Sequence, residues 1–295
     1  MNVAPVIFDR VLVRRHRRRA AALGSASFLL DRVAGDMAER LAAVLRRFDL
    51  AVDLGTPGEA VRAALAGLGS IGTIVAADAM PRPRPAVVAD EEALPFGDGA
   101  LDLVVSALAL QEVNDLPGVL VQIRRALKPD GLLLAALFGG ETLTELRQCF
   151  AAAESDVEGG ASPRVAPFAD LRDLGALLQR AGFALPVTDV DRVRVRYDSV
   201  FDLMRDLRHM GATNALVARR RRPLRRATLA RMAAIYAERF ADADGRIRAT
   251  FEVVWLSAWA PHPGQQQPLE PGAARSRLAD ALGAREVSAG EKAGR

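Results

Sequence analysis

The chain is poor in the residues that staple or metallate small domains. A single cysteine, Cys149, excludes an intrachain disulfide and suits a reducing compartment. The three histidines, His16, His209 and His262, stand far apart. Without cysteine partners they compose neither a zinc set nor a two-histidine, one-carboxylate iron set. No run approaches the roughly 18 apolar residues of a membrane span, and the start lacks the short apolar core of a secretory signal. Aromatic residues are only 5% of the chain and none interleave with its arginines, so stacking recognition of nucleic acid has little support. A large excess of one charge is also missing, since the net is +4.

What remains is a long, half-hydrophobic chain of 295 residues, enough for one large core or for a core with a helical subdomain. Arginine is clustered in Arg14–Arg19 around His16, and again in Arg219–Arg222 with Arg225 and Arg226. Such clusters are read either as solvated helix ends or as contacts to an acidic protein or a membrane surface. A cytoplasmic protein, peripheral at the inner membrane through its arginines, is expected; in a eukaryote the matrix side of the mitochondrion takes that place.

The organising stretch is Val88–Gly140. Leu101–Ala107 and Leu132–Phe138 are nearly unbroken apolar runs, which read as strands covered on both faces. Asn114-Asp115 can cap a helix over about Leu116–Leu127. Lys128-Pro129-Asp130-Gly131 is expected to stop it, with glycine taking a positive φ. Strand, helix and strand at this spacing form a parallel crossover. Upstream, Leu50–Gly55 is a strand entering a glycine turn, Glu59–Leu68 a helix, Ile71–Asp78 a second strand and Val87–Ala89 a third. Asp78 lies 25 positions after Asp53, near the roughly 20 that separate a glycine turn from a ribose-binding acid.

Residues 1–48 read as an N-terminal helical segment, with apolar positions from Leu29 to Phe48 at helical spacing. An arginine-rich start also suits a transit peptide. Gly139–Thr142 opens a helix to about Ala153, and Leu171–Ala181 is amphipathic. The segment 164–168 is a candidate lid. Val187–Tyr197 alternates with period two and presents a basic face. Residues 199–241 form two helices inserted before the last strand, 249–259. Residues 261–295 are expected to be a disordered tail with a short helix near 274–282.

The order of acidic turn, strand and helix resembles the S-adenosylmethionine (SAM) dependent methyltransferase superfamily. The match tightens over Asp90-Glu91-Glu92-Ala93-Leu94-Pro95-Phe96, Val113–Pro117, Leu127–Gly131 and Phe138–Arg147. There the chain is similar to the family of mitochondrial complex I assembly factor 5, described as an arginine hydroxylase. More distantly it resembles the malonyl-carrier-protein methyltransferase of biotin synthesis. The resemblance implies an α/β fold of class I, Rossmann-like, with a seven-stranded mostly parallel sheet over residues 49–260. It implies SAM as cofactor and a protein substrate, a subunit of complex I, rather than nucleic acid.

By the same resemblance Asp53, Gly55 and Gly58 form the cofactor loop, Asp78 holds the ribose, and Asp90 with Glu91 faces the adenine; Ser106 ends the next strand beside them. The three aspartates are expected to converge on one cavity. The chain departs from the superfamily pattern Asp-x-Gly-x-Gly-x-Gly at Pro57 and Glu59, which raises two readings: a re-routed loop that still binds, or a non-catalytic assembly chaperone. Gln111 and Glu112 stand where relatives often place a histidine and an aromatic residue. Glu112 is either a partner for a cationic group such as a guanidinium or a solvated loop charge. No residue is assigned as the catalytic base, and no metal site is expected.

Overall fold

The computed structural model describes residues 6–265 and 283–284. The expected tail helix near 274–282 lies outside the described residues. Residues up to Pro261 form one compact unit. Its centre is a seven-stranded sheet. The strands are β1 (Phe48–Leu54), β2 (Ile71–Asp78), β3 (Ala86–Val88), β4 (Leu101–Ala107), β5 (Leu127–Phe138), β6 (Ala184–Tyr197) and β7 (Ile247–Trp259). Their order is β3-β2-β1-β4-β5-β7-β6. The first five pair in parallel and β7 runs antiparallel to both β5 and β6. The chain reverses between β3 and β4, and at such a switch point the carboxyl ends of the central strands leave a crevice for ligands.

Eight helices surround the sheet among the described residues: α1 (Arg10–Leu23), α2 (Phe28–Ala42), α3 (Ala60–Leu65), α4 (Leu116–Ala126), α5 (Thr144–Glu158), α6 (Leu171–Arg180), α7 (Val200–His209) and α8 (Arg226–Phe240). The period of two in β5 shows why both faces are covered. Leu132, Leu134 and Ala136 join one buried cluster with Met37 of α2, Cys149 of α5 and Met232 of α8. Leu133, Ala135 and Leu137 join the other, with Leu120 and Ile123 of α4 and Leu174 of α6. A strand buried on both sides reads as continuous apolar sequence, which is why the central strands are legible.

Three local expectations are corrected. Phe48, expected to end a helix, begins β1, and α2 stops at Ala42. Lys128–Gly131 does follow α4, but it already belongs to β5. The positive φ there falls on Asp130 at 66°, not on Gly131. Gly131 is needed for closeness, because a Cβ would stand 2.9 Å from Lys128 O and 3.1 Å from Asp102 O. The helix expected from Gly139 begins only at Thr144. The preceding turn is held to β7 instead: Gly139 N donates to Glu252 O at 2.9 Å and Leu143 N to Thr250 O at 2.7 Å.

The pair α7 and α8 is inserted between β6 and β7. Tyr236 of α8 is fully buried, and its hydroxyl donates to Arg248 O at 3.0 Å, which anchors the insertion to the sheet. Burial pushes that phenol upward. The Cys149 thiol is pushed up to about 11, chiefly by burial, so it is an inert core group.

Candidate functional site

The glycine turn leaves β1 at its carboxyl end. Gly55 (φ 68°) and Gly58 (φ 87°) both take the left-handed region, which glycine enters without steric cost. Gly55 N donates to Ala77 O at 2.8 Å, continuing the β1–β2 pairing. Thr56 between them is buried, and its Oγ1 accepts from Ala107 N at 3.0 Å. Glu59 leads into α3 and its carboxylate pairs with Arg62.

Asp53 lies beneath this turn, 3% exposed. Its Oδ1 has no hydrogen-bond partner among the described residues. Burial pushes its carboxyl up to about 7, against a hydrogen bond from Thr56. Ser106, expected among the cofactor residues, is fully buried; its Oγ donates to Leu54 O at 2.7 Å and ties β4 to β1.

Asp78 ends β2 and is 2% exposed. Its Oδ1 accepts from Met80 N at 2.8 Å. Its Oδ2 accepts from Arg82 Nε at 2.8 Å, and Arg82 Nη2 reaches Thr56 O at 3.1 Å. Both oxygens of the candidate ribose acid are thus engaged by the chain itself.

The acidic turn after β3 meets α1. Arg10, Arg14 and Arg17 recur at helical spacing on one face. Arg14 pairs with Asp90, and Arg10 pairs with Asp90 at 3.1 Å and also with Glu91. Arg17 pairs with Glu91 at 3.2 Å and with Glu112 at 3.0 Å, and its Nη1 donates to Gly55 O at 3.2 Å. Burial works against the Arg17 charge, but Glu112 and then Glu91 hold it above the ordinary arginine range. Burial likewise opposes the Asp90 charge; the Glu92 amide, with Arg14 and Arg10, outweighs it and lowers that carboxyl.

Two cavities open beside these groups. The first, about 350 Å³, has Pro57, Gly58, Leu30, Arg17, Arg82 and Glu112 in its wall. The second, about 240 Å³, has Phe8, Leu143, Phe168, Met204 and Leu216 in its wall. Gln111, Glu112, Phe138, Met210 and Ala212 belong to both walls, so the chambers meet at the 3-10 turn Leu110–Glu112.

The three aspartates do not form the wall of the first cavity. Arg82 stands over Asp78, Asp90 faces α1, and Asp53 is under the turn. Glu91 packs against Gly55, where a Cβ would meet its Cγ and Oε1 at 2.8 Å. Gly58 alone of the expected residues lines the cavity, with nothing within 4 Å of a built Cβ. The arginines that hold the acids were missed in the sequence. The spacing of positions 10, 14 and 17 was the available signal.

The residues fit SAM in kind. An unobstructed glycine at a cavity wall allows close approach, and a buried acid ends β2. The fit requires Arg82 to turn away from Asp78. Among the described residues no group of three His, Cys, Asp or Glu side chains is arranged to hold a metal. No helix among them is long and apolar enough to cross a membrane.

The methyltransferase-domain family profile matches residues 52–135. The chain is 38% identical over 287 residues to the mitochondrial arginine hydroxylase NDUFAF5 of Danio rerio, covering 93% of this chain and 89% of that one. It is 36% identical over 281 residues to the malonyl-[acyl-carrier protein] O-methyltransferase of a Methylovorus strain, covering 88% and 92%. Among solved structures, a candidate methyltransferase of Bacillus halodurans superposes with a TM-score of 0.53 at 16% identity, covering 77% of this chain and 99% of that one. That likeness concerns the fold, a class I methyltransferase sheet with helices on both faces.

Proposed function

The chain belongs to the family of the mitochondrial arginine hydroxylase NDUFAF5, and from that membership we propose that it acts on an arginine side chain of a respiratory complex I subunit during assembly, holding SAM over its glycine turn. The observation that carries this reading is the pair of chambers meeting at Gln111–Glu112. A cofactor placed against Gly58 in the first would face a side chain entering through the second. The roles fall as follows: Gly55 and Gly58 shape the loop, Asp53 and Thr56 brace it from below, and Asp78 receives the ribose once Arg82 has moved. Asp90 and Glu91 anchor α1 through Arg10, Arg14 and Arg17, so that α1 forms one wall. Ser106 fixes the spacing of β1 and β4.

When bound, SAM supplies an activated methyl group on a sulfonium, for which orientation and proximity provide much of the catalysis. Hydroxylation draws its oxygen and electrons from a co-substrate. For either reaction this chain's own residues would bind, orient and exclude water. Mass spectrometry of complex I subunits from a strain lacking the protein tests the reading. Loss of a single arginine modification is expected; an unchanged set of modifications contradicts it.

A second reading is favoured by the arginines themselves. With Arg82 on Asp78 and Arg10 and Arg17 on Glu91, the protein would be a non-catalytic assembly chaperone that keeps the fold without the cofactor. Normal arginine modification combined with failed complex I assembly in the deletion strain would select it.

A further inference from the structure

Arg17 is 7% exposed and its guanidinium sits in a receptor made by the chain: Gly55 O, Glu91 Oε1 and Glu112 Oε2, at 3.0–3.2 Å. The two carboxylates differ in what they would lose with it. Glu91 is buried and also pairs with Arg10, so it keeps a counter-ion without Arg17. The only ion pair of the Glu112 carboxylate among the described residues is with Arg17. Glu112 is partly exposed and belongs to the walls of both chambers.

Gln111 beside it is oriented by a hydrogen bond from its Nε2 to Leu108 O at 2.8 Å. That leaves Gln111 Oε1 as a buried acceptor with no partner among the described residues. The junction thus holds a carboxylate and, just behind the wall, a buried neutral amide oxygen that a turn of the Gln111 side chain would expose, both acceptors, with an adjoining wall of Phe138, Leu143, Leu146 and Phe168. A guanidinium is a planar fork of five N–H donors with no acceptor, carried on an apolar stem. It can bridge two acceptors in its plane, which a compact ammonium does less well.

We propose that Glu112 and Gln111 form the reception site for the guanidinium of the substrate, and that Arg17 is the internal guanidinium the substrate displaces from Glu112. This rests on the reading that the substrate is a protein arginine, and it adds where that side chain is held and what competes for the place. The displacement is an exchange of like for like, so Glu112 is never left without a cation and the cost of a lone buried charge is avoided. Binding and release are then coupled to α1, whose other arginines keep it on Asp90 and Glu91.

The test is titration calorimetry of the full chain with N-acetyl-arginine-methylamide, with the matching lysine derivative as control. The arginine probe is expected to bind and the lysine probe to bind at least about tenfold more weakly. Glu112→Gln is expected to weaken the arginine probe about tenfold, and Gln111→Leu to weaken it by a smaller factor, the loss of one neutral acceptor. Arg17→Met is expected to tighten it, because the competitor is gone. Should that variant not fold, Arg17→Lys, which keeps a charge for Glu91 but has no fork, is expected to tighten it too.

Equal affinity for the two probes, no binding by the wild-type chain, or an unchanged affinity in Glu112→Gln overturns the proposal. Arginine binding that depends on Glu112, with no modified arginine anywhere in complex I, supports this site and contradicts the activity proposed above. A modified arginine formed at the wild-type rate by Glu112→Gln does the reverse.

Discussion

A Cβ built on Gly55 would lie 2.8 Å from both Cγ and Oε1 of Glu91. That side chain cannot yield, since Arg10 and Arg17 hold it. Gly55 also has a φ of 68°, so Gly55→Ala adds backbone strain to a clash. The variant is expected to lose about 2–4 kcal/mol of stability, read from denaturant unfolding. A Gly58→Ala variant shares the positive φ but meets nothing within 4 Å, and is expected to lose only about 1 kcal/mol.

Asp53 gives the fold a pH dependence of definite sign. Its folded carboxyl is pushed up to about 7 from 3.8, chiefly by burial, so the native state holds the proton more tightly than the unfolded chain does. Its contribution is therefore most favourable below about pH 4 and is lost as pH rises through 7. Asp53→Asn keeps an acceptor for Thr56 and removes the charge. It is expected to be more stable than wild type at pH 8 by on the order of 4 kcal/mol, with the difference vanishing near pH 4. Unfolding curves at the two pH values check this; a variant less stable at pH 8 would contradict it.

Arg82 blocks the acid that a ribose would use. In Arg82→Ala both the ion pair to Asp78 and the hydrogen bond to Thr56 O are removed. SAM binding is expected to tighten roughly tenfold, the worth of one charge-assisted hydrogen bond that no longer has to be broken. A weakened affinity would instead make Arg82 a direct contact of the cofactor.

Much of the fold was legible because the central strands are buried on both faces. Leu101–Ala107 read as an apolar run and is a strand with those bounds; Ile71–Asp78 also keeps its expected bounds, though only its last three residues are buried. The antiparallel β6 announced itself by alternation, which burial follows from Asp191 to Tyr197, while Val187 and Asp189, expected on that same face, are exposed; the inserted helices announced themselves by their place before Ala249. Boundaries failed where tertiary contacts override local chemistry. Asp130 rather than Gly131 takes the positive φ, and Leu143, at φ 54°, precedes α5 because Thr250 O holds its amide.

The site was legible in position but not in its contacts. Asp78 and Asp90 fall at strand ends, as their order in the chain implied. Asp78 meets Arg82 only four positions on, whereas the cations Asp90 meets depend on α1 lying across the acidic turn, 76 to 80 residues away in sequence. Pro57 and Glu59 looked like obstacles because a motif compares residue types. In the folded turn both stand in the wall of the first cavity, and the glutamate is paired with Arg62. Ser106 donates to Leu54 O and Asp53 accepts from Thr56, contacts that a motif does not display.

The central claim is that the chamber at Gly58 takes SAM with Asp78 as the ribose acid. Titration calorimetry of the full chain with SAM, beside Asp78→Ala, measures it most directly. Saturable binding at about micromolar concentration that disappears in Asp78→Ala is predicted. No binding by the wild-type chain, or binding indifferent to Asp78, would contradict it.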